Sequence, residues 1–159
     1  MKRALVLVVL AVLVGTVCFA RVKAPIAGED EIKAEAEQRF GEILDLWHEK
    51  KFDELYDKTV VGGRQSRENF ADSLRTAPYR PACCWQQKQD VSVTVKSPKK
   101  VVVRAKIGLE GPGDIVYRTG SFKLRKEDGI WRVSRNDILS LSGGSGKKGY
   151  RKKKIRVIR

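Results

Sequence analysis

The chain has 159 residues, the size of one ordinary domain with a core of its own, and a formal net charge of +14. The charge is uneven, because residues 21–142 hold 23 basic and 19 acidic side chains, whereas residues 143–159 hold eight basic side chains and no acid. One histidine and three cysteines, two of them adjacent, cannot supply the tetrahedral ligand set of a zinc site. No metal or other cofactor is therefore predicted.

Residues 1–20 are predicted to direct export of the chain. Lys2 and Arg3 precede 14 uncharged residues, and residues 18–20, with the sequence CFA, place small side chains at the −3 and −1 positions of a cleavage site. We therefore expect a cleaved signal peptide and a periplasmic or extracellular protein. Two alternatives stay open. Residues 4–20 could be retained as a membrane anchor, although about 1.5 Å per residue gives only roughly 25 Å, and the cysteine of this segment could be lipidated.

The remaining chain divides into a short leader at residues 21–28, a folded domain at residues 29–142 and a flexible basic tail at residues 143–159. Outside the cytoplasm, the anionic partner predicted for this tail is a membrane or an envelope surface. Nucleic acid is not expected as a partner, because export separates the tail from it. The residues predicted to contact the anionic surface are Lys147, Lys148, Arg151, Lys152, Lys153, Lys154, Arg156 and Arg159.

The first half of the domain has helical periodicity. Three consecutive acids, at residues 29–31, mark the start of a helix whose apolar residues fall within an arc of about 120°, with Gly41 on the opposite, solvated side. A short second helix is predicted in KKFDELYDKT, and a third in SRENFADSLR, where Ser66 is the N-cap. The apolar residues of the first helix are Ile32, Ala36, Phe40, Ile43, Leu44 and Trp47.

From Trp85 onward the apolar period changes from about 3.6 to 2, which is typical of strands. Turns at residues 97–98, 111–114 and 126–129 separate four strands, and turns this short require antiparallel neighbours. The sequence thus predicts an α+β domain in which N-terminal helices pack on a bent, four-stranded antiparallel meander, preceded by the signal or anchor helix.

Two details of the predicted strands depend on local pattern. The alternation changes phase around Gly120, which predicts a β-bulge that bends the third strand. The last strand begins at Trp131 and is predicted to continue through Ile138 and Leu139 to Leu141.

Three segments, FGEILDLWHEKKFDELYDKT, SRENFADSLR and GSFKLRKEDGIWRVSRNDILSL, together resemble the nuclear-transport-factor-two-like superfamily, also called the cystatin-like or ketosteroid-isomerase-like cone. The resemblance covers residues 31–141 and rests on apolar patterns. It implies a bent sheet that curls around the first helix and leaves a pocket inside a cone. It also implies that the protein is either an enzyme or a binding domain, and that it forms a homodimer through the open sheet face.

The residues favour a binding domain for a small apolar ligand or a protein partner over an enzyme. Catalytic motifs are missing from the sequence, and His48 lies about 40° beyond the apolar arc, where a solvated histidine at a helix end is expected. The alternative is an isomerase, dehydratase or hydrolase-like enzyme that uses the same pocket. Candidate pocket residues are Trp47, Tyr56, Trp85, Tyr117 and Asp137, although core packing explains most of the aromatic ones equally well.

Cys83 and Cys84 are expected to be a buried, hydrophobe-like pair at the beginning of a strand. An oxidising compartment would normally pair two cysteines, yet adjacent ones can close only a small, distorted ring. A vicinal disulfide and an intermolecular bridge therefore stay open as alternatives.

Overall fold

The computed structural model describes residues 28–60 and 65–143. The predicted signal segment, the leader up to residue 27 and the basic tail from residue 144 onward, with all eight of its cationic side chains, lie outside these ranges. The described chain is an α+β domain in which three helices precede a curled antiparallel sheet, and a fourth helix follows the sheet.

The three N-terminal helices are α1 (Glu29–His48), α2 (Phe52–Asp57) and α3 (Arg67–Arg75), which confirms the predicted helical half. The first turn of α1 carries three acids, which favour the positive end of the helix dipole. The hydroxyl oxygen of Ser66 accepts a hydrogen bond from the Asn69 N–H at 3.2 Å, so the predicted N-cap of α3 is confirmed.

The position predicted for Gly41 is wrong, because this residue is buried. The Lys88 side chain crosses α1 at this point, and a Cβ atom on residue 41 would lie 3.0 Å from its Nζ. The absence of a side chain lets the lysine stem from the sheet lie against the helix. A pattern of apolar residues cannot show such a contact between distant segments.

The sheet contains β1 (Arg80–Pro81), β2 (Lys88–Ser97), β3 (Lys100–Glu110), β4 (Val116–Glu127) and β5 (Ile130–Val133). The predicted four-stranded meander is confirmed, since β2 to β5 pair in chain order and all pairs are antiparallel. A fifth strand, β1, was not predicted. It pairs with the same side of β3 as β2 does, beyond the end of β2.

The turn between β4 and β5 is the predicted hairpin. Its two central residues, Asp128 and Gly129, have φ angles of 52° and 79°, as a two-residue turn between twisted strands requires.

The bulge predicted at Gly120 is wrong. The register of β3 and β4 is continuous through the pair Ala105–Gly120. The phase changes because Tyr117 faces away from the core and is 37% exposed, whereas Gly120 lies on the same face as the buried Phe122. A Cβ atom at residue 120 would lie 3.0 Å from the Phe122 ring, so glycine makes room for that ring. The register shifts occur in β2, where Asp90 has a φ angle of 49°.

The last strand is also shorter than predicted. It ends at Val133, and residues Arg135–Leu141 form helix α4, whose Ile138, Leu139 and Leu141 side chains are buried. Three apolar positions in so short a segment fit either period, and the packing against β4 favours the helix.

The core lies between α1 and the inner face of the sheet. Helix α1 contacts β1, β2, β3 and β5, while its residues Phe40, Ile43 and Trp47 are almost fully buried. In the described part of the chain, no helix combines the length and the hydropathy needed to cross a bilayer.

Arg135 joins the end of the sheet to the helical half. Its guanidinium donates hydrogen bonds to Thr59 Oγ1 at 2.9 Å, to the Gln65 carbonyl at 2.9 Å and to the Val60 carbonyl at 3.2 Å. It also lies 4.2 Å from the centroid of the Tyr56 ring. One side chain thus fixes both ends of the connection between α2 and α3.

Replacement of Arg135 by methionine is expected to lower the free energy of unfolding by about 2–3 kcal/mol, because three buried or half-buried acceptors lose their donor. Urea unfolding measures the change, and Arg125→Met, at an exposed position of β4, is the control. Equal midpoints for the two variants would contradict the role given to Arg135.

Candidate functional site

One cavity lies where the end of α1, α2, the end of α3 and the turn after β3 meet, and we call it the α1–β3 cavity. Its volume is about 620 Å³, within the usual range for small-molecule sites. Its walls include apolar and charged side chains: Trp47, Phe52, Leu74, Pro78, Lys50, Arg75, Arg80 and Glu110.

The apolar wall comes from three different helices. Trp47 on α1 is 1% exposed, Phe52 begins α2, and Leu74 lies near the end of α3. The indole N–H of Trp47 is buried without a hydrogen-bond partner among the described residues. Because this nitrogen is shielded from solvent, Trp47 contributes apolar ring surface to the wall and its N–H is not offered to the cavity.

The charged rim is dominated by cations. Arg80 Nη2 lies 2.8 Å from a carboxylate oxygen of Glu110, and Arg75 Nη1 lies 2.6 Å from Asp72. Lys50 is exposed and forms no ion pair with any residue that the structure describes. The rim therefore keeps an uncompensated positive charge beside an apolar wall, which suits an anionic group on an apolar body.

A second cavity of about 590 Å³ lies between the inner face of β4 and α4, and we call it the β4–α4 cavity. Asp137 and Arg118 both line it. One carboxylate oxygen of Asp137 accepts a hydrogen bond from the Lys123 N–H at 3.1 Å, while Arg118 donates to the Leu141 carbonyl at 3.0 Å. Burial raises the pKa of the Asp137 carboxyl, and the Lys123 N–H opposes part of that rise.

The five residues predicted to form one pocket lie in different parts of the fold. Trp47 lines the α1–β3 cavity and Asp137 lines the β4–α4 cavity. Tyr56 lies between two arginines and donates its hydroxyl hydrogen to the Gln65 carbonyl. Tyr117 is on the outer face of the sheet, and Trp85 is 73% exposed in the loop between β1 and β2.

The sequence did not indicate the charged rim of the α1–β3 cavity. Arg80 belongs to β1, a two-residue strand without detectable periodicity, and Arg75 ends α3 like any solvated helix-end residue. Only the residues of the apolar wall could be recognised in the sequence, because Phe52 and Leu74 each lie on the apolar face of a predicted helix.

The prediction that His48 is solvated is wrong. His48 is half-buried, and its Nδ1 lies 2.8 Å from the Pro81 carbonyl oxygen. Because a carbonyl oxygen only accepts, the Nδ1 atom carries the hydrogen in this contact. The contact fastens the end of α1 to β1.

The expected burial of the cysteine pair is also wrong. Cys83 and Cys84 are both exposed. Cys83 precedes a 3-10 turn, Cys84–Gln86, and Cys84 is the first residue of that turn. The loop leaves the core at this point, so the two thiols face solvent.

Charge is separated between the two halves of the domain. Residues 28–75 contain eight basic and 13 acidic side chains, whereas residues 80–133 contain 12 basic and five acidic ones. Many of the cations lie on the face of the sheet opposite the core, which we call the outer sheet face: Lys100, Arg104, Lys106, Lys123 and Arg125.

Like charges face one another across this surface. Arg125 lies directly opposite Lys100 on β3 and Arg132 on β5. Such pairs destabilise a sheet, and a negatively charged surface in contact with them would relieve the repulsion.

Neither cavity contains a candidate metal centre, since the described residues include no group of three or more histidine, cysteine, aspartate or glutamate side chains placed to share an ion. A scan against protein-family models finds no match to this chain, and a search of curated proteins finds no significantly similar sequence.

Replacement of Asp137 by asparagine is expected to change the pH dependence of stability. Folding favours the protonated carboxyl because its pKa is raised in the folded state, so the stability that Asp137 contributes falls as pH rises through that pKa. The variant should therefore match the parent in acid and exceed it at neutral pH, by less than about 1 kcal/mol because the group is half-exposed.

Urea unfolding at several pH values measures this difference, with Asp114→Asn in an exposed turn as the control. A neutral-pH loss of stability in the Asp137 variant alone would show that the ionised carboxylate is stabilising.

Proposed function

We propose that the protein is an exported, non-catalytic binding domain of the nuclear-transport-factor-two-like superfamily. In this proposal residues 1–20 are the export signal, and the curled sheet with α1 forms the cone of that superfamily. The α1–β3 cavity holds a small ligand that has an apolar body and an anionic group.

The observation that carries the proposal is the joining of an apolar wall and a cationic rim in one cavity. Phe52, Leu74 and the ring of Trp47 provide contact area for the apolar body. Lys50 is the rim cation that has no ion pair there. Its φ angle of 61° places it in the left-handed region, directly after the last turn of α1.

Decanoate and decanol are suitable probes, because they share an apolar chain and differ in the anionic group. We expect decanoate to bind more tightly than decanol in isothermal titration calorimetry. Lys50→Asn, which suits a positive φ, should weaken decanoate binding about tenfold, or about 1.4 kcal/mol, and leave decanol unchanged.

Lys100→Asn on the outer sheet face removes the same charge far from the cavity and is the control. Equal affinity for decanoate and decanol, or equal weakening by the two variants, would contradict this binding mode.

The alternative function, an isomerase, dehydratase or hydrolase-like enzyme, is supported by one observation. The Asp137 carboxyl has a raised pKa and lines the same cavity as Arg118, so one cavity contains a candidate proton donor and a cationic side chain. Under this alternative, turnover would disappear in the Asp137→Asn variant while ligand binding in the α1–β3 cavity stayed intact.

We also propose that the exported protein contacts an anionic membrane surface through its basic tail and its outer sheet face. The tail residues lie outside the described structure, and their sequence alone supports this role. Each basic side chain close to an anionic bilayer contributes about 1 kcal/mol. The outer sheet face adds further cations, of which Lys123 and Arg125 are exposed neighbours on β4.

Removal of residues 144–159 is expected to abolish most of the salt-sensitive binding to vesicles that contain phosphatidylglycerol, without a change in melting temperature. Lys123→Glu with Arg125→Glu should remove the remainder. Co-sedimentation at low and high salt measures binding, and pure phosphatidylcholine vesicles are the control. Unchanged binding by the truncated protein would defeat the role of the tail.

A further inference from the structure

The loop between β1 and β2 is held to the domain at both ends. The Ala82 N–H donates to the Gly108 carbonyl at 2.8 Å, and the Gly108 N–H donates to the Gln87 carbonyl at 3.2 Å. The Gln87 side chain also donates to the Asp45 carboxylate at 2.8 Å. The four residues between these anchors, Cys83 to Gln86, project from the sheet, and we call them the cysteine loop.

The loop also packs closely on β3. A Cβ atom at residue 108 would lie 2.2 Å from the Gln86 carbonyl oxygen, so only glycine permits this approach. The anchors and the close approach limit the conformations of the loop, and they keep its two cysteines together.

The cysteine side chains face each other in solvent. Both are exposed, and their Sγ atoms lie 2.7 Å apart. This separation is about 0.7 Å longer than a disulfide bond. Cys84 has a φ angle of 60°, an uncommon conformation for a residue with a side chain, and strained backbone of this kind is frequent at functional sites.

We propose that Cys83 and Cys84 form a thiol–disulfide exchange site. One thiolate attacks an external disulfide, forms a mixed disulfide and releases one thiol. The second cysteine then attacks the mixed disulfide, closes the Cys83–Cys84 bond and releases the second thiol. Two protein thiols are oxidised, one external disulfide is reduced to two thiols, and the protons pass to the departing thiolates.

The geometry makes the closed form readily reducible. Consecutive Cα atoms are about 3.8 Å apart, whereas most disulfides join Cα atoms about 4.4–6.8 Å apart. A bond between neighbours is therefore strained, and strained, exposed disulfides are the labile and redox-active ones. The pair is suited to reversible oxidation in an exported protein, and it is independent of the ligand cavity.

The test uses the full-length protein and the tryptic peptide 76–88, which contains both cysteines and excludes Cys18. After equilibration with oxidised glutathione, alkylation and digestion, we expect most of this peptide to have lost two hydrogen atoms and to carry no alkyl group. Excess reduced glutathione should restore two alkylatable thiols. A second arm replaces oxidised glutathione with a dithiol oxidoreductase in its disulfide form, which distinguishes a small-molecule from a protein oxidant.

Cys83→Ser and Cys84→Ser are the matched variants. Each should keep glutathione as a mixed disulfide on its remaining cysteine, because no neighbouring thiol can displace it. Persistent glutathione adducts on the unmodified protein, a covalent dimer through either cysteine, or two alkylatable thiols after both oxidants would overturn the proposal.

Discussion

Phe40 on α1 and Phe122 on β4 pack with their ring centroids 4.7 Å apart, in the core between the long helix and the sheet. This contact fixes which face of the sheet is internal. The inner side chains of β3 and β4 are then buried against α1, and the side chains between them point to solvent. Gly120 and Gly41 belong to the same arrangement, because each provides room for a neighbouring side chain within it.

The parts of the fold that could be predicted are the long segments in which apolar residues recur with a single period. Helix α1 and strands β2 to β4 each contain enough residues for the period to be unambiguous. Strand β1 has two residues, and α4 has seven whose apolar positions fit two periods, so tertiary contacts decide both. The α1–β3 cavity follows the same rule. Its apolar wall was visible in the helical patterns, but its rim depends on β1, which placed Arg80 beside Glu110.

The separation of charge leaves the outer sheet face strongly cationic. On this face, Arg125 lies directly opposite two other cations, one on each neighbouring strand. Like charges in such positions destabilise the sheet, so the stability of the fold does not explain the arrangement. Two copies joined through this face would bring the same charges together. Homodimerisation therefore stays a prediction of the family resemblance, and an anionic surface is the partner that we propose on electrostatic grounds.

The last turns of α1 connect the two proposed sites. Asp45 accepts the hydrogen bond of Gln87, which anchors the cysteine loop, and His48 holds the Pro81 carbonyl. Trp47, between them in sequence, lines the α1–β3 cavity from the opposite side of the helix. A rigid helix that supports a cavity wall on one side and a redox-active loop on the other fixes both in relation to the core. The same constraint explains why the loop can carry a strained cysteine pair: its flanking residues are held by buried structure, so the strain is confined to the exposed residues between them.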